Sequence, residues 1–503
     1  MLFSTTRAEI AINLNKNRYK TRDVLEYHIW VIYNNQFSRF QRMSNLITLG
    51  QIAQILAINS QFYRNSTDST TVIGITTDTR SIKPGEVFLA LQGEHFDGHN
   101  FVEQAINQGA IAAIVTKDFA QNHPNLPLFP VPNPLKAYQQ IARWWRDQFQ
   151  IPIIGVTGSV GKTTTKELIA AILGTQGNVL KTQANYNNEI GVPKTLLQLT
   201  SDHDFAVIEM AMRGVGQIAE LTQIVLPTIG VITNVGTAHI GLLGSEDAIA
   251  QAKCELLAEM PKTSLAVLNQ DQDRLINTAD KVWSGNTITY GLKGGDLRGE
   301  LIDPQTLRVE GIDLPLPLPG EHNASNFLAA LAVFRGIYGA QTSYKPFQQP
   351  IAVQLPDGRA KRYQWGEDLV ILDETYNAGL ESMLAALRLL AQTPGKRHIA
   401  VLGTMKELGE RSLEFHEQVG RTVRELNLDG LLILAEFEAA NALAKGAGGV
   451  PLVSIVDVQT SDAHAQMVQQ LKALIQPGDR ILFKASHSVQ LNRVVELLGS
   501  DFQ

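Results

Sequence analysis

Long, uninterrupted apolar runs recur through the middle of the chain, and stretches with helical spacing separate them. Such runs lie near 153–157, 205–210 and 229–234. Strands that are apolar on both faces are typical of a parallel sheet covered by helices on each side. The pattern therefore predicts a doubly wound α/β core in the central part of the chain, entered through an amphipathic helix around 136–149.

Smaller α/β units flank this core. From Thr71 to Val115, short apolar strands alternate with turns and one helix. Five prolines follow within 121–135, and because proline cannot continue a helix, this stretch is interpreted as an interdomain linker. A second soft boundary lies near 339–350, after which strands and helices alternate to the end of the chain. This last third is predicted to be Rossmann-like.

The predicted domains are therefore residues 44–134, 135–340 and 341–503, preceded by an N-terminal extension, 1–43, outside the fold. The extension is rich in basic residues and has no clear hydrophobic period. A transit peptide has a similar composition, but three acidic residues and the lack of a small-residue cleavage site count against it. An upstream extension from a misplaced start is favoured.

Composition narrows the class of protein. With 44% hydrophobic and 18% charged residues, the chain of 503 residues is an ordinary globular protein of several domains. A net charge of -6 argues against a general nucleic-acid binder. The single cysteine, Cys254, excludes an internal disulfide and fits a reducing cytoplasm. No apolar run reaches the roughly 18–20 residues of a membrane span.

The most informative segment is 151–173, where an apolar strand runs into a glycine turn and then Lys-Thr-Thr-Thr at the start of a helix. Gly158 and Gly161 allow backbone N–H groups to approach anionic oxygens, while the helix N-terminus and Lys162 add positive charge. Thr163 can then hold Mg²⁺. A glycine-rich turn without a ligand explains the glycines alone, but the whole run favours nucleotide binding.

Polar residues close several of the predicted strands. Glu209 ends one apolar run, His239 follows another, and Asp373 and Glu374 end a third. Taken singly, a strand-end carboxylate is usually solvated and a lone histidine is usually structural. However, ligands of an open parallel sheet lie outside the carboxyl ends of its strands. A hydroxyl, a carboxylate and an imidazole at that edge can hold two Mg²⁺ ions around a triphosphate.

Lys253 occupies an unusual position on a predicted helix. It lies four residues after Ile249 and three before Leu256, on the apolar stripe of that helix. Lysine on an apolar face usually extends its amine to solvent. The alternative is chemical, because a buried lysine has a depressed pKa and its neutral amine can add CO₂ to form a carbamate able to ligate a metal. Both interpretations stay open at this point.

Together these segments resemble the Mur ligase family over residues 44–503. The segments that carry the resemblance are TDTRSIKPGEVFLALQGEHFDGHNF, TGSVGKTTT, NYNNEIGVPKTLL, EMAMRGVGQIAEL, TNVGTAHIG, AKCELL, LPGEHNASN, DETYNAG and GTMKELGERS. The resemblance implies a small N-terminal α/β substrate domain, a central P-loop ATPase domain with a parallel sheet, and a Rossmann-like C-terminal domain.

The motifs are most similar to the branch of the family that joins D-alanyl-D-alanine to UDP-N-acetylmuramoyl-tripeptide in peptidoglycan synthesis. The resemblance implies a cytoplasmic, monomeric, ATP-dependent and ADP-forming amide ligase that uses Mg²⁺, with an acyl-phosphate intermediate and a carbamylated lysine at Lys253. The alternative within the superfamily is a MurE-type amino-acid-adding ligase or a folylpolyglutamate synthase. From another class, a P-loop regulatory protein or a catalytically dead scaffold is the alternative.

The resemblance also implies roles for individual residues. Lys162, Lys253, His239 and Arg359 take the catalytic roles, with Arg359 reaching the γ-phosphate. ATP contacts fall on Gly158, Ser159, Val160, Gly161, Lys162, Thr163, Thr164, Asn323, Arg359, Asp373, Glu374, Tyr376 and Asn377. Mg²⁺ ligands fall on Thr163, Glu209, His239 and Lys253. Asp78, Thr79 and Arg80 are implied to bind the UDP end of the substrate, and Asn188 to lie along the path of the substrate to the reacting centre.

The chain departs from the family pattern at a few segments. Asp373–Glu374 stands where the family usually has Asp-Asp or Asn-Asp, and KASHSVQLN at 484–492 replaces a KGSR-like segment. No residues are therefore assigned to the dipeptide pocket in the C-terminal domain.

Overall fold

The computed structural model describes residues 47–58, 68–94 and 96–500. The predicted extension at 1–43 lies outside these described residues. Three α/β units follow one another along the chain, each on a main sheet of its own. This arrangement confirms the predicted fold class, while the exact domain boundaries stay predictions.

The first unit has a two-stranded antiparallel ribbon and a four-stranded parallel sheet in the order β3-β4-β5-β6. Its strands are β1 Ile47–Thr48, β2 Thr71–Val72, β3 Gly74–Thr76, β4 Glu86–Leu89, β5 Ala112–Thr116 and β6 Leu128–Val131. Its helices are α1 Leu49–Ile55, α2 Val102–Asn107 and α3 Lys117–Asn122.

The predicted linker at 121–135 is wrong. Most of this stretch belongs to the first unit, because it completes α3 and then forms β6, which pairs with β5. Pro130 lies within β6. Because β6 is the edge strand of its sheet, a residue without a backbone N–H is tolerated there.

The central unit has a nine-stranded sheet in the order β15-β14-β13-β12-β11-β10-β7-β9-β8. Its strands are β7 Ile153–Thr157, β8 Val179–Lys181, β9 Phe205–Glu209, β10 Ile229–Ile232, β11 Leu265–Asn269, β12 Asn286–Gly291, β13 Leu297–Asp303, β14 Thr306–Val309 and β15 Ile312–Pro315. Its helices are α4 Pro134–Arg146, α5 Lys162–Gly174, α6 Gly191–Leu196, α7 Gln217–Val225, α8 Ile240–Leu243, α9 Glu246–Glu259, α10 Asp273–Val282 and α11 Glu321–Tyr338.

Helices on both faces explain why the central strands are continuously apolar. Ile153 of β7 belongs to a core that includes residues of α4, α7 and α9, whereas Ile154 and Val156 belong to a second core with α5 and α11. The strands from β8 to β12 are parallel, as predicted. The antiparallel extension from β13 to β15 was not predicted.

The C-terminal unit has a six-stranded sheet in the order β16-β17-β21-β18-β19-β20, parallel except for β16. Its strands are β16 Lys361–Trp365, β17 Leu369–Glu374, β18 Arg397–Gly403, β19 Gly430–Ala435, β20 Leu452–Asp457 and β21 Asp479–Lys484. Its helices are α12 Leu380–Gln392, α13 Ser412–Glu425, α14 Phe437–Gly446, α15 Ala463–Leu474 and α16 Asn492–Gly499. Among the helices of the described residues, none has both the length and the hydropathy needed to cross a membrane.

The segment near 339–350 packs against the central unit. A short 3₁₀ turn at Lys345–Gln348 buries Phe347 and follows the buried Tyr344. The ring of Phe347 lies edge-on to that of Phe334 on α11, with 4.9 Å between the ring centroids. The chain is therefore anchored to the central core before it enters the C-terminal unit.

We expect Phe347→Ala to lower the free energy of unfolding by about 3–5 kcal/mol, because a buried ring leaves a cavity in this core. Denaturant unfolding measures the effect. Gln348→Ala, at the exposed neighbouring position, is the matched control and should change stability by less than about 0.5 kcal/mol. Equal stability of the two variants would contradict the anchoring role.

Candidate active site

The loop between β7 and α5 has a backbone that only glycine can adopt at two positions. Gly158 has φ +151° and Gly161 has φ +80°. A Cβ atom on Gly158 would lie 1.9 Å from Thr233 Oγ1, and one on Gly161 would lie 2.6 Å from Asn326 Oδ1. No side chain caps the N-terminus of α5. Its first backbone N–H groups are thus available to an anion at this loop.

Lys162, the first residue of α5, turns back over the loop. Its Nζ donates hydrogen bonds to the carbonyl oxygens of Gly158 at 2.9 Å and Ser159 at 3.2 Å. Burial lowers the pKa of Lys162, the charge of Glu209 opposes this shift, and the charge of Arg359 adds to it. Groups from the central and C-terminal units therefore act electrostatically on the same amine.

Glu209 lies at the carboxyl end of β9 beside the loop. Its Oε1 accepts hydrogen bonds from Thr163 Oγ1 at 3.1 Å and from Asn187 Nδ2 at 2.8 Å. Its Oε2 is buried and has no hydrogen-bond partner among the described residues, with Lys166 Nζ at 3.8 Å. The structure thus joins two predicted metal ligands, Thr163 and Glu209, and leaves one carboxylate oxygen available to a cation.

Two neighbours of Glu209 were missed by the sequence reasoning. Asn187 orients its carboxylate, whereas the predicted Asn188 accepts a hydrogen bond from the backbone N–H of Gly191 at 2.9 Å, at the start of α6. Lys166 is fully buried, paired with Glu167 at 2.9 Å and bonded to the carbonyl oxygen of Thr182 at 2.7 Å. The signal for Lys166 was its position one helical turn after Lys162 on the same helix.

His239 and Lys253 lie close enough to interact electrostatically. His239 has φ +68° and pairs through Nδ1 with the carboxylate of Glu407 from the C-terminal unit. Burial lowers the pKa of His239, and the charge of Lys162 lowers it further. Glu407 lies in the GTMKELG segment, but its pairing with His239 was not predicted.

Lys253 does not extend to solvent. Its side chain is 2% exposed, and within the described part of the chain its amine forms no hydrogen bond or ion pair. Burial, followed by the charge of Lys162, holds the pKa of Lys253 well below its usual range. The structure therefore contradicts the snorkelling alternative.

In the C-terminal unit, Arg359 stacks on Tyr376, with 3.9 Å between the guanidinium carbon and the ring centroid. Arg359 Nε is buried, and no hydrogen-bond partner for it exists among the described residues. Glu374 Oε1 accepts from the backbone N–H of Ala360 at 3.1 Å, and its Oε2 lies 3.6 Å from Lys484 Nζ. Lys484 was missed, although it begins the segment 484–492 that was set aside as divergent.

Other predicted residues of the C-terminal unit lie close by. Asp373 accepts hydrogen bonds from the backbone N–H and the hydroxyl of Thr375 at 3.0 and 2.7 Å, and burial raises the pKa of Asp373. The carbonyl oxygen of Asn377 accepts from Lys484 Nζ at 3.0 Å. These contacts orient the loop that follows β17 toward Arg359.

Asn323 lies in the first turn of α11 and is buried. Its Nδ2 donates to the carbonyl oxygen of Pro319 at 2.9 Å, and Asn326 Nδ2 donates to its Oδ1 at 3.4 Å. Asn326 in turn accepts from Thr165 Oγ1 on α5 at 3.2 Å. The predicted adenine contact is therefore linked to the helix that begins at the phosphate loop.

The predicted residues of the N-terminal unit form a separate group. Asp78 caps the turn Thr79–Ser81 and accepts from Arg80 Nε at 2.9 Å and Nη2 at 2.7 Å. The hydrogen bonds from Arg80 lower the pKa of Asp78 to about 2. In the described residues, no hydrogen bond or ion pair joins this group to the phosphate loop.

Comparisons with known proteins show which family the chain resembles along its length. Three family models match successive parts of the chain: "Mur ligase family, catalytic domain" over 71–146, "Mur ligase middle domain" over 156–334 and "Mur ligase, glutamate ligase domain" over 358–487. The UDP-N-acetylmuramoyl-tripeptide–D-alanyl-D-alanine ligase of Synechocystis sp. is 55% identical over 456 residues, which cover 91% of this chain and 98% of the relative.

Solved structures give the same result. MurF from Acinetobacter baumannii matches with a TM-score of 0.78 and 30% identity, over 90% of this chain and 99% of that chain. MurF from Thermotoga maritima, solved in complex with ADP, matches with a TM-score of 0.74 and 28% identity, over 88% of this chain and 99% of that chain.

Fold and site together define a three-domain phosphate-loop protein in which Arg359 of the C-terminal Rossmann-like unit acts electrostatically on Lys162 of the phosphate loop. The matches along nearly the whole chain make the assignment specific. The chain belongs to the Mur ligase family.

We expect Lys162→Ala to weaken binding of ADP, used as a probe, by roughly 10- to 150-fold, the equivalent of one charge-assisted hydrogen bond. Titration calorimetry measures this effect. Lys281→Ala, at an exposed position in the last turn of α10, should bind ADP like the unchanged protein. Since Lys162 faces a ligand site, a loss of about 2–5 kcal/mol in stability, as for a core deletion, would contradict its assignment.

Proposed function

We propose that this chain is an ATP-dependent, ADP-forming ligase that joins D-alanyl-D-alanine to UDP-N-acetylmuramoyl-tripeptide in peptidoglycan precursor synthesis. The 55% identity to the Synechocystis ligase of that name, over nearly the full length of both chains, carries the choice of substrates. The phosphate loop with Lys162 on one side and Arg359 on the other supports the nucleotide chemistry.

The first step forms an acyl phosphate. An oxygen of the tripeptide carboxylate attacks the γ-phosphorus of ATP, the bond from that phosphorus to the β-phosphate oxygen breaks, and ADP leaves. Lys162 and Arg359 neutralise the charge on the transferred group. Arg359 is held over Tyr376 with its Nε free for a ligand.

The second step forms the amide bond. The neutral amine of D-alanyl-D-alanine attacks the acyl carbon to give a tetrahedral intermediate; the bond from that carbon to the phosphate oxygen then breaks, and the proton from the nitrogen passes to the departing phosphate. Positioning is sufficient for this step, so no nucleophilic side chain of the protein is required. Asp78, Thr79 and Arg80 would hold the UDP end of the substrate, with Asn188 along its path.

The residues beside the phosphate loop fit Mg²⁺. The described residues contain no group of three or more His, Cys, Asp or Glu side chains able to hold a metal ion. Mg²⁺ does not need one, because it keeps several waters and is bound by one or two carboxylates together with substrate phosphates. Thr163, Glu209 and His239 would hold it; Glu209 Oε2 accepts no hydrogen bond from the described residues and has only the ion pair with Lys166 Nζ at 3.8 Å. When bound, one or two ions neutralise phosphate charge.

Lys253 is the proposed site of carbamylation. The lone pair of its neutral Nζ attacks the carbon of CO₂, one N–H proton passes to water, and the product is a negatively charged carbamate. The carbamate would act as a long carboxylate toward Mg²⁺. Complete burial and the lack of any polar partner for the amine in the described residues support this modification, as does its depressed pKa.

The rival members of the superfamily have weaker support. A MurE-type ligase structure and a folylpolyglutamate synthase structure match at 17% and 16% identity, which shows a common fold alone. A P-loop regulatory protein is disfavoured by the 55% identity to a ligase over nearly the full length of both chains.

ADP release tests the substrate assignment. We expect ADP release over many turnovers only when ATP, UDP-N-acetylmuramoyl-tripeptide and D-alanyl-D-alanine are all present. Tripeptides with diaminopimelate or lysine at the third position, and single amino acids in place of the dipeptide, form the comparison set. ADP release over many turnovers with ATP alone would indicate a nucleotide switch, and release with a single amino acid would indicate a different ligase of the family.

We expect Lys253→Ala to be nearly inactive, because a negative metal ligand is lost. Formate or acetate should restore part of the rate by occupying the vacated space. Lys253→Arg is the discriminating variant, since a guanidinium stays protonated and cannot add CO₂. High activity of Lys253→Arg in the ADP-release assay would overturn the carbamate, and mass spectrometry of the intact protein for the added CO₂ gives a second readout.

A further inference from the structure

The segment after β10, residues 233–241, consists of a loop and the first two residues of α8 and contacts two parts of the molecule at once; we call it the bridging loop. On one side it holds the phosphate loop. Thr233 Oγ1 and Asn234 Nδ2 donate to the carbonyl oxygen of Val160 at 2.7 and 3.1 Å. The backbone N–H of Gly236 donates to Ser159 Oγ at 2.9 Å. The phosphate loop therefore depends on the bridging loop for its shape.

On its other side the bridging loop is held by the C-terminal unit. Glu381, in the first turn of α12, accepts from the backbone N–H of Thr237 at 2.7 Å and from its hydroxyl at 3.2 Å. Glu407 pairs with His239, and its carbonyl oxygen accepts from the backbone N–H of Gly241 at 3.1 Å. Glu381 and Glu407 of the C-terminal unit therefore both bind the bridging loop of the central unit.

Glycines allow this close contact between the two units. A Cβ on Gly236 would lie 2.6 Å from the carboxylate of Glu381, and one on Gly241 would lie 2.5 Å from the backbone nitrogen of Gly409. Gly409 itself has φ +60°. Because the contact at Gly241 is backbone against backbone, a methyl group there cannot be accommodated by a side-chain rotation.

We propose that Glu381 and Glu407 are positioning residues that couple docking of the C-terminal unit to the geometry of the phosphate loop, through the bridging loop. Docking orients His239 through Glu407 and Ser159 through the bridging loop, and the same movement brings Arg359 to the nucleotide. The site is then complete only in the docked state. The inference rests on the proposed ligase activity for its kinetic readout alone.

Two readouts test the coupling. Small-angle X-ray scattering with the non-hydrolysable ATP analogue AMP-PNP and Mg²⁺ reports whether the units dock, and steady-state kinetics report the consequence. We expect the unchanged protein to become more compact with the analogue. Glu381→Ala and Glu407→Ala should stay extended and lower kcat by about 10- to 100-fold, as for loss of a group that orients a ligand. Their KM for ATP should stay within about threefold.

Further variants make the test specific. Glu381→Gln keeps an acceptor oxygen for Thr237 and should recover much of the lost rate. Gly241→Ala should prevent docking although it removes no polar group. Glu410→Ala, an exposed acid of the same segment without a hydrogen bond or ion pair in the described residues, should behave like the unchanged protein. Thermal melting confirms that each variant is folded.

Two results would overturn the proposal. Either the Glu381→Ala and Glu407→Ala variants become as compact as the unchanged protein, or both keep its kcat. The same holds if the unchanged protein shows no compaction. Should it release no ADP with both substrates, the proposed function fails by itself, while the scattering of the variants still decides the coupling.

Discussion

Buried positive charge is the constraint on which the rest of the site depends. Amines removed from water cost free energy unless they find partners or become neutral. Lys166 meets this cost through Glu167 and the carbonyl oxygen of Thr182, and Lys162 does so through two loop carbonyls. Lys253 has no polar partner among the described residues. A polyphosphate at the phosphate loop offers Lys162 a stronger, charged partner than the loop carbonyl oxygens, so affinity for a nucleotide follows from the fold itself.

The proposed chemistry explains why the site is divided between domains. The proposed acyl phosphate would be hydrolysed readily by water, so it must form in a space that can be closed and then opened for release. Arg359 reaches this space from the C-terminal unit, and its partner Tyr376 holds it there. The glycine contact between the two units leaves no room for a side chain, which makes the docked arrangement close and specific.

Local patterns were sufficient for much of the architecture. The apolar runs of β7, β9 and β10 identified the central parallel sheet, because strands covered on both faces carry that signature. The phosphate loop was identified because its chemistry is contained in a few consecutive residues. The burial of Lys253 was suggested in the same way, because its spacing from the apolar residues of its own helix is visible in a few consecutive residues. The prolines at 121–135 led to the wrong prediction of an interdomain linker, because an edge strand such as β6 also tolerates proline.

The sequence by itself determined the order of the three α/β units, the phosphate loop and the strand-end residues Glu209 and Asp373, because each depends on neighbours close in the chain. Only the tertiary structure decided which side chains meet. His239 and Glu407 lie 168 positions apart in the sequence, and Asn187 and Glu209, which form a hydrogen bond, lie 22 positions apart. Such contacts are set by how sheets and domains pack, and no local period in the sequence records them.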